Sequence, residues 1–170
     1  MKKSEHRAEV TAFASYKGAR ALADASGLKH PDGRARSRVW DETFEEAVGG
    51  TSVLTDNFVI SDNNGAAFLV EGAPGERYIT ANKPDDLNVL GNVRGARQGT
   101  TIGFLVHRTP GTPVPTLQLL GRNGKPLGLS EDVPEGYDWM FFNMNEYVFG
   151  FTWSGGNLQM HGILLVDWTS

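Results

Sequence analysis

The chain contains no cysteine. Disulfide bridges and thiolate-rich metal centres are therefore excluded, and stability must come from packing or association. No apolar run reaches the roughly 18 residues that a membrane-crossing helix needs. The basic start, Met1-Lys2-Lys3, is followed by Ser4-Glu5-His6-Arg7 where a leader would carry apolar residues, so no secretory signal is expected. Histidine is sparse: His6, His30, His107 and His161 are far apart, with no His-x-His or His-Glu-x-x-His spacing, and no metal site is expected. There is no Gly-x-Ser-x-Gly elbow. The Gly91, Gly95, Gly99 series has the wrong spacing for a dinucleotide loop, and Gly121–Lys125 lacks the phosphate-loop pattern. Asp62 and Asn64 make half a calcium loop without the later acidic ligands. Asp85-Asp86 falls in a loop, where neighbouring side chains point apart. No cofactor is expected, and no catalytic activity.

What is present fits one globular domain with a real core. The chain has 170 residues, 39% of them hydrophobic and 21% charged, and its 21 glycines suit a fold with many turns. The net charge is −4, which argues against a nucleic-acid partner. Charge is uneven, however. Residues 1–38 hold nine Lys/Arg against four Asp/Glu, while residues 51–170 hold seven against twelve.

The pattern changes near Gly49-Gly50, which divides the chain into an N-terminal arm over 1–50 and a β domain over 51–170. Ala8, Ala12, Tyr16, Ala19 and Ala23, with Phe13 and Leu22 alongside, predict a narrow amphipathic helix over 5–26, with Gly27 at its C-terminal end. Leu28-Lys29-His30-Pro31-Asp32-Gly33 breaks the chain. Arg34, Arg36 and Arg38 then alternate ahead of Trp40 and, on extended backbone, project from one side. They could grip phosphates, or carboxylates on a neighbouring subunit, or lie solvated, or pair with Asp41, Glu42, Glu45 and Glu46. Asp41 could cap a short helix running to Val48.

From Thr51 onward the period is two. Leu54, Phe58 and Ile60 mark a first strand. Asp62-Asn63-Asn64-Gly65 and Arg122-Asn123-Gly124-Lys125 are hairpin signals, and Ser154-Gly155-Gly156-Asn157 reads as a third. Ala66–Val70, Tyr78-Ile79, Leu87–Leu90, Ile102/Phe104/Val106 and Leu117/Leu119 follow as strands. Three aromatic strands close the chain: Tyr137/Trp139/Phe141, Tyr147/Phe149/Phe151/Trp153, and the alternation from Leu158 to Trp168. Many short strands with one apolar side predict a mainly β protein, an antiparallel β-sandwich or jelly-roll-like barrel. Trp139, Trp153, Trp168 and Tyr147 could stack on sugars, but their alternation favours the core. Trp168, near the end, is the best candidate for an exposed glycan contact.

The segment from Asp56 to about Trp153 resembles β-sandwich domains of tailed-bacteriophage virion proteins, of the capsid decoration, head-fibre and tail-fibre kinds. The residues carrying the likeness are Phe58-Val59-Ile60-Ser61-Asp62, Gly99-Thr100-Thr101-Ile102-Gly103-Phe104, Leu117-Gln118-Leu119, and the strands Tyr137–Phe142 and Tyr147–Trp153. The Pro110–Pro115 insert and the 91–99 loop depart from it. The resemblance implies a virion structural protein, made in the host cytoplasm, that binds capsid or tail subunits and further copies of itself as a trimer or dimer. The partner-binding residues would then be Phe13, Tyr16, Leu22, Arg34, Arg36, Arg38 and Trp40 of the arm. Two alternatives stand beside it: a carbohydrate-binding, receptor-binding module of a tail fibre, and a small jelly-roll enzyme.

Overall fold

The computed structural model describes residues 9–11, 34–133 and 135–168, with the side chains of residues 9–11, 36, 137 and 138 left aside. Two antiparallel sheets pack face to face, the sandwich that the period-two pattern predicts. The first sheet runs β1 (Glu9–Thr11), β11 (Tyr137–Asn143), β8 (Thr101–Arg108), β13 (Leu158–Trp168), β6 (Tyr78–Ala81), β5 (Phe68–Glu71), with β2 (Arg36–Glu42) also on β13. The second runs β10 (Pro126–Asp132), β9 (Pro115–Leu120), β12 (Gly150–Gly155), β7 (Leu87–Val93), β4 (Phe58–Asp62), β3 (Ser52–Leu54).

The core between the sheets is aromatic. Phe104 meets Phe151 edge-on at 4.9 Å and Phe142 at 5.8 Å, and Phe68 meets Trp153 at 6.1 Å. Each such ring contributes roughly 1.5–3 kcal/mol when fully enclosed. Gly91 is needed opposite Phe151, because a Cβ there would stand 2.2 Å from the ring.

β13 organises the first sheet. It pairs with β8 along one edge, and divides the other edge between β6 at Met160 and β2 from Ile163 to Trp168. Met160 faces Val106 and Gly162 faces Leu105, so His161 is an extra residue, a β-bulge. The bulge changes which side chains face inward. Leu158, Met160, Ile163 and Leu165 enter the main core. Leu164, Val166 and Trp168 form a second cluster on the outward side with Val39, Leu105, Trp139 and Phe141. The expected single inward face from Leu158 to Trp168 is corrected here. So is the face of β11, whose core residues are Met140 and Phe142.

Several local expectations give way to long-range pairing. Glu9–Thr11 is a strand on β11, not part of a helix; the rest of the expected 5–26 helix lies outside the described residues. Asp41 and Glu42 pair with Leu164 and Ile163, so no helix follows them. The chain instead turns with Phe44 at φ 59° and its ring fully buried. A non-glycine residue in that region costs about 1–2 kcal/mol, which burial of a phenylalanine offsets. Leu54 and Phe58 lie on separate strands joined by a turn in which the Thr55 N–H donates to the Phe58 carbonyl at 2.9 Å.

Of the three expected hairpins, only 122–125 joins paired strands, with Asn123 at φ 62° and Gly124 at φ 74°. The turns at 62–65 and 154–157 carry the chain from one sheet to the other. Buried side chains hold both crossings. Asp62 accepts the Ala66 N–H at 2.7 Å and the Asn88 N–H at 2.8 Å, which accounts for the partial calcium-loop pattern. The Asn157 amide donates to the Ala81 carbonyl at 2.8 Å and accepts the Ala81 N–H at 3.2 Å, tying the crossing to β6. Replacing Asn157 with Leu leaves the buried backbone groups of Ala81 without these partners. The variant is expected to lose about 2–3 kcal/mol, read from the urea midpoint at unchanged slope.

Candidate functional site: the outer face of the six-stranded sheet

The two sheets present opposite kinds of surface. On the outward side of β7, β9 and β12, the residues alternating with the core are Asn88, Leu90 and Asn92, then Thr116, Gln118 and Leu120, then Thr152 and Ser154. Val59 and Ser61 of β4, and Ser52 and Leu54 of β3, continue the face. Register aligns them in rows. Gln118, Thr152, Leu90, Ser61 and Ser52 follow one another across five strands. Leu120, Gly150, Asn92, Val59 and Leu54 form the next row. Neighbouring side chains in a row stand about 4.8 Å apart.

On this face the charge of the strands is confined to β10, where exposed Asp132 stands in register with Thr116 and accepts its hydroxyl at 3.1 Å. The chain is 21% charged, yet the five strands β3, β4, β7, β9 and β12 hold one charged residue, Asp62, which is buried. The polar outward positions of these five strands carry amides and hydroxyls, and the acids sit on the edge strand β10. Asn88 and Asn92 are exposed, and Thr152, Ser154 and Ser61 half-exposed.

One corner of the face is hollow. A hollow of about 420 Å³ is lined there by Asn92, Leu120, Phe149 and the turn from Gly121 to Gly124. The guanidinium of Arg122 lies 5.6 Å from the centre of the Phe149 ring. At the opposite end of the rows, Leu54 borders a cleft of about 490 Å³ lined by Asp41, Glu42, Glu45, Glu46, Asp56 and Arg94. That acidic wall is partly committed to structure: Glu45 accepts the N–H groups of Gly75 and Arg77 at 2.6 and 3.0 Å. Among the described residues no group of His, Asp or Glu is arranged to hold a metal ion.

The first sheet's outer side is aromatic and enclosed. Trp139 and Phe141 stack at 5.1 Å and 13°, and Phe141 lies over Gly103, where a Cβ would stand 2.4 Å from the ring. Trp168 is 6% exposed, and its indole N–H donates to Thr101 Oγ1 at 2.7 Å. The expectation that Trp168 is exposed is therefore corrected: β8 and β2 flank the end of the chain and absorb the ring. Trp139 and Trp153 are buried as well, while Tyr147 is 39% exposed. Of the arm residues, Phe13, Tyr16 and Leu22 lie outside the described residues. Arg36 pairs through its backbone with Trp168. Arg34 is half-buried, and Arg38 is exposed with its guanidinium 5.1 Å from the Trp40 ring centre. Trp40 itself is half-buried against the main core.

The open face went unread in the sequence because its residues have no motif. The signal available was compositional: the polar partners in 88–92, 116–120 and 152–154 are all amides or hydroxyls.

No protein-family model matches the chain, and a search of curated proteins finds no match. A search of solved structures finds distant similarities. A low-affinity xylan-binding module, CBM86, from Roseburia intestinalis is 7% identical at a TM-score of 0.47, over 78% of this chain and 97% of that one. A family 29 carbohydrate-binding module from Piromyces equi is 13% identical at 0.43, over 76% and 91%. The enzymatically active domain of tailspike protein 4 from bacteriophage CBA120 is 16% identical at 0.34, over 76% of this chain and 19% of that one. These are likenesses of fold.

On the far side of the first sheet, His161 stacks on Tyr78 at 4.7 Å, and its Nε2 lies 3.1 Å from Gln159 Oε1. Burial, and secondarily His107, lower its pKa to about 4. The folded protein therefore resists a proton that the unfolded chain takes up near pH 6.5. Stability is full above that pH and falls as pH drops toward 4, by roughly 2 kcal/mol. Thermal melts across this range should show the loss, and His161→Gln should remove that part of it.

Proposed function

We propose that this β-sandwich is a non-catalytic carbohydrate-binding module whose ligand lies across the outer face of the six-stranded sheet. The observation that carries the reading is the surface array of amides and hydroxyls on five paired strands whose one charged residue, Asp62, is buried. Sugar hydroxyls need donors and acceptors in fixed positions, and they exchange water for them at modest net gain. Leu90, Val59, Leu120 and Phe149 supply apolar ground for the C–H faces of the rings. The aromatic core beneath holds the strands, so the array is set before binding and little ordering is required of it.

Affinity electrophoresis against a panel of soluble polysaccharides, followed by calorimetry, tests this. The protein should be retarded by at least one of them. Thr152→Lys, at the centre of the middle row, should weaken binding roughly tenfold or more by leaving a charge to be desolvated, with little change in melting temperature. Failure of every polysaccharide to retard the wild type would end the proposal.

A second reading draws on the same observation. Depletion of charge also marks the centre of a protein–protein interface, and a virion subunit that packs this face against another copy or a capsid protein would use it so. Light scattering separates the two. A monomer at micromolar concentration supports the glycan reading, and a stable dimer or trimer broken by Thr152→Lys supports the subunit.

A further inference from the structure

We infer that the ligand is an acidic glycan, with one sugar carboxylate seated on Arg122 in the hollow beside Phe149. The inference rests on the glycan-binding reading of the face and adds the ligand's charge and its direction.

The hollow's lining of Asn92, Leu120, Phe149 and the 121–124 turn contains no carboxylate. Arg122 is exposed and forms no ion pair among the described residues. Its guanidinium is placed by the Phe149 ring, which orients a planar group without using its in-plane N–H donors. Those donors match a carboxylate in bidentate fashion, the strongest geometry open to an arginine. Asn92 adds an amide at the same rim, and Leu120 and Phe149 give the ring of the sugar an apolar seat. Lys125, at the end of the same turn, raises the local positive potential further.

The far end of the rows has the opposite sign. Leu54 borders the cleft walled by Asp41, Glu42, Glu45, Glu46 and Asp56, four strand spacings or about 19 Å from β9. A carboxylated sugar is drawn to the Arg122 corner and repelled from the Asp56 end. The chain of sugars is thereby given one polarity on the face, with its acidic residue at β9 and neutral residues over Thr152, Leu90 and Ser61.

The test compares three forms of one oligosaccharide by calorimetry: the uronate, its methyl ester and the neutral hexose analogue. The wild type should bind the uronate roughly tenfold more tightly than the ester, and the preference should shrink with added salt. Arg122→Gln should abolish the preference, bringing uronate binding to the level of the ester; Arg122→Lys should retain part of it. Arg122 is exposed, so an unchanged melting temperature confirms that the variant is folded. Equal binding of all three forms by the wild type would overturn the acidic ligand and leave the glycan reading standing. A preference that survives Arg122→Gln would overturn the role of Arg122. Binding of none of the three, together with no retardation by any polysaccharide, would overturn both proposals.

Discussion

The extra residue in β13 is the constraint on which the rest of the sandwich depends. A strand of regular pleat has one inward and one outward series of side chains. By inserting His161 between Met160 and Gly162, β13 sends Leu158 and Met160 inward and then Ile163 and Leu165 inward as well, out of phase with the first pair. The displaced series, Leu164, Val166 and Trp168, becomes outward and meets Trp139 and Phe141. One strand thus feeds two apolar clusters, and its far edge can accept β6 on one side of the bulge and β2 on the other. The residue that makes this possible is itself buried and kept neutral, which couples the bulge to pH.

The second sheet uses the same core differently. Its inward side is held by Phe58, Phe151 and Trp153, and Gly91 leaves room for the Phe151 ring. Held from beneath in this way, the outward amides and hydroxyls stand at intervals set by strand spacing and pleat. A loop-built site would have to order its side chains on binding. Here hydrogen-bonded register places them, and the hollow beside Phe149 and the cation at Arg122 break an otherwise even surface at one corner. The two sheets thus differ in their outer sides, one enclosed and aromatic and the other open and rich in amides and hydroxyls.

Much of the strand layout was legible from residues alone. The apolar series at 102–106, 117–119 and 158–168 mark β8, β9 and β13; only β9 is the half-buried strand that such alternation implies, while β8 and β13 are buried on both sides. The Asn123-Gly124 turn was legible for a local reason: both residues adopt positive φ at low cost. The turns at 62–65 and 154–157 have equally strong turn residues, yet they lead to the other sheet. Nothing within four residues distinguishes a hairpin from a crossing; Asp62 and Asn157 decide it through partners at Asn88 and Ala81. The helix expected after Asp41 fails likewise, since β13 claims Asp41 and Glu42 as strand partners and outweighs a capping preference worth about 1 kcal/mol. Of the site, the residue types were visible in 88–92, 116–120 and 152–154, but not their assembly on one surface.

What the sequence determined by itself was the class of fold, the absence of thiol chemistry and the positions of most strands, because composition and periodicity act through each segment's own burial. What only the tertiary structure decided was which aromatic side chains face solvent, where the chain changes sheets, and that amides and hydroxyls from five strands share one surface. The physical reason is that a strand's pairing partner and its bulges are fixed by contacts remote in sequence, and a shift of one residue exchanges the two faces of everything that follows.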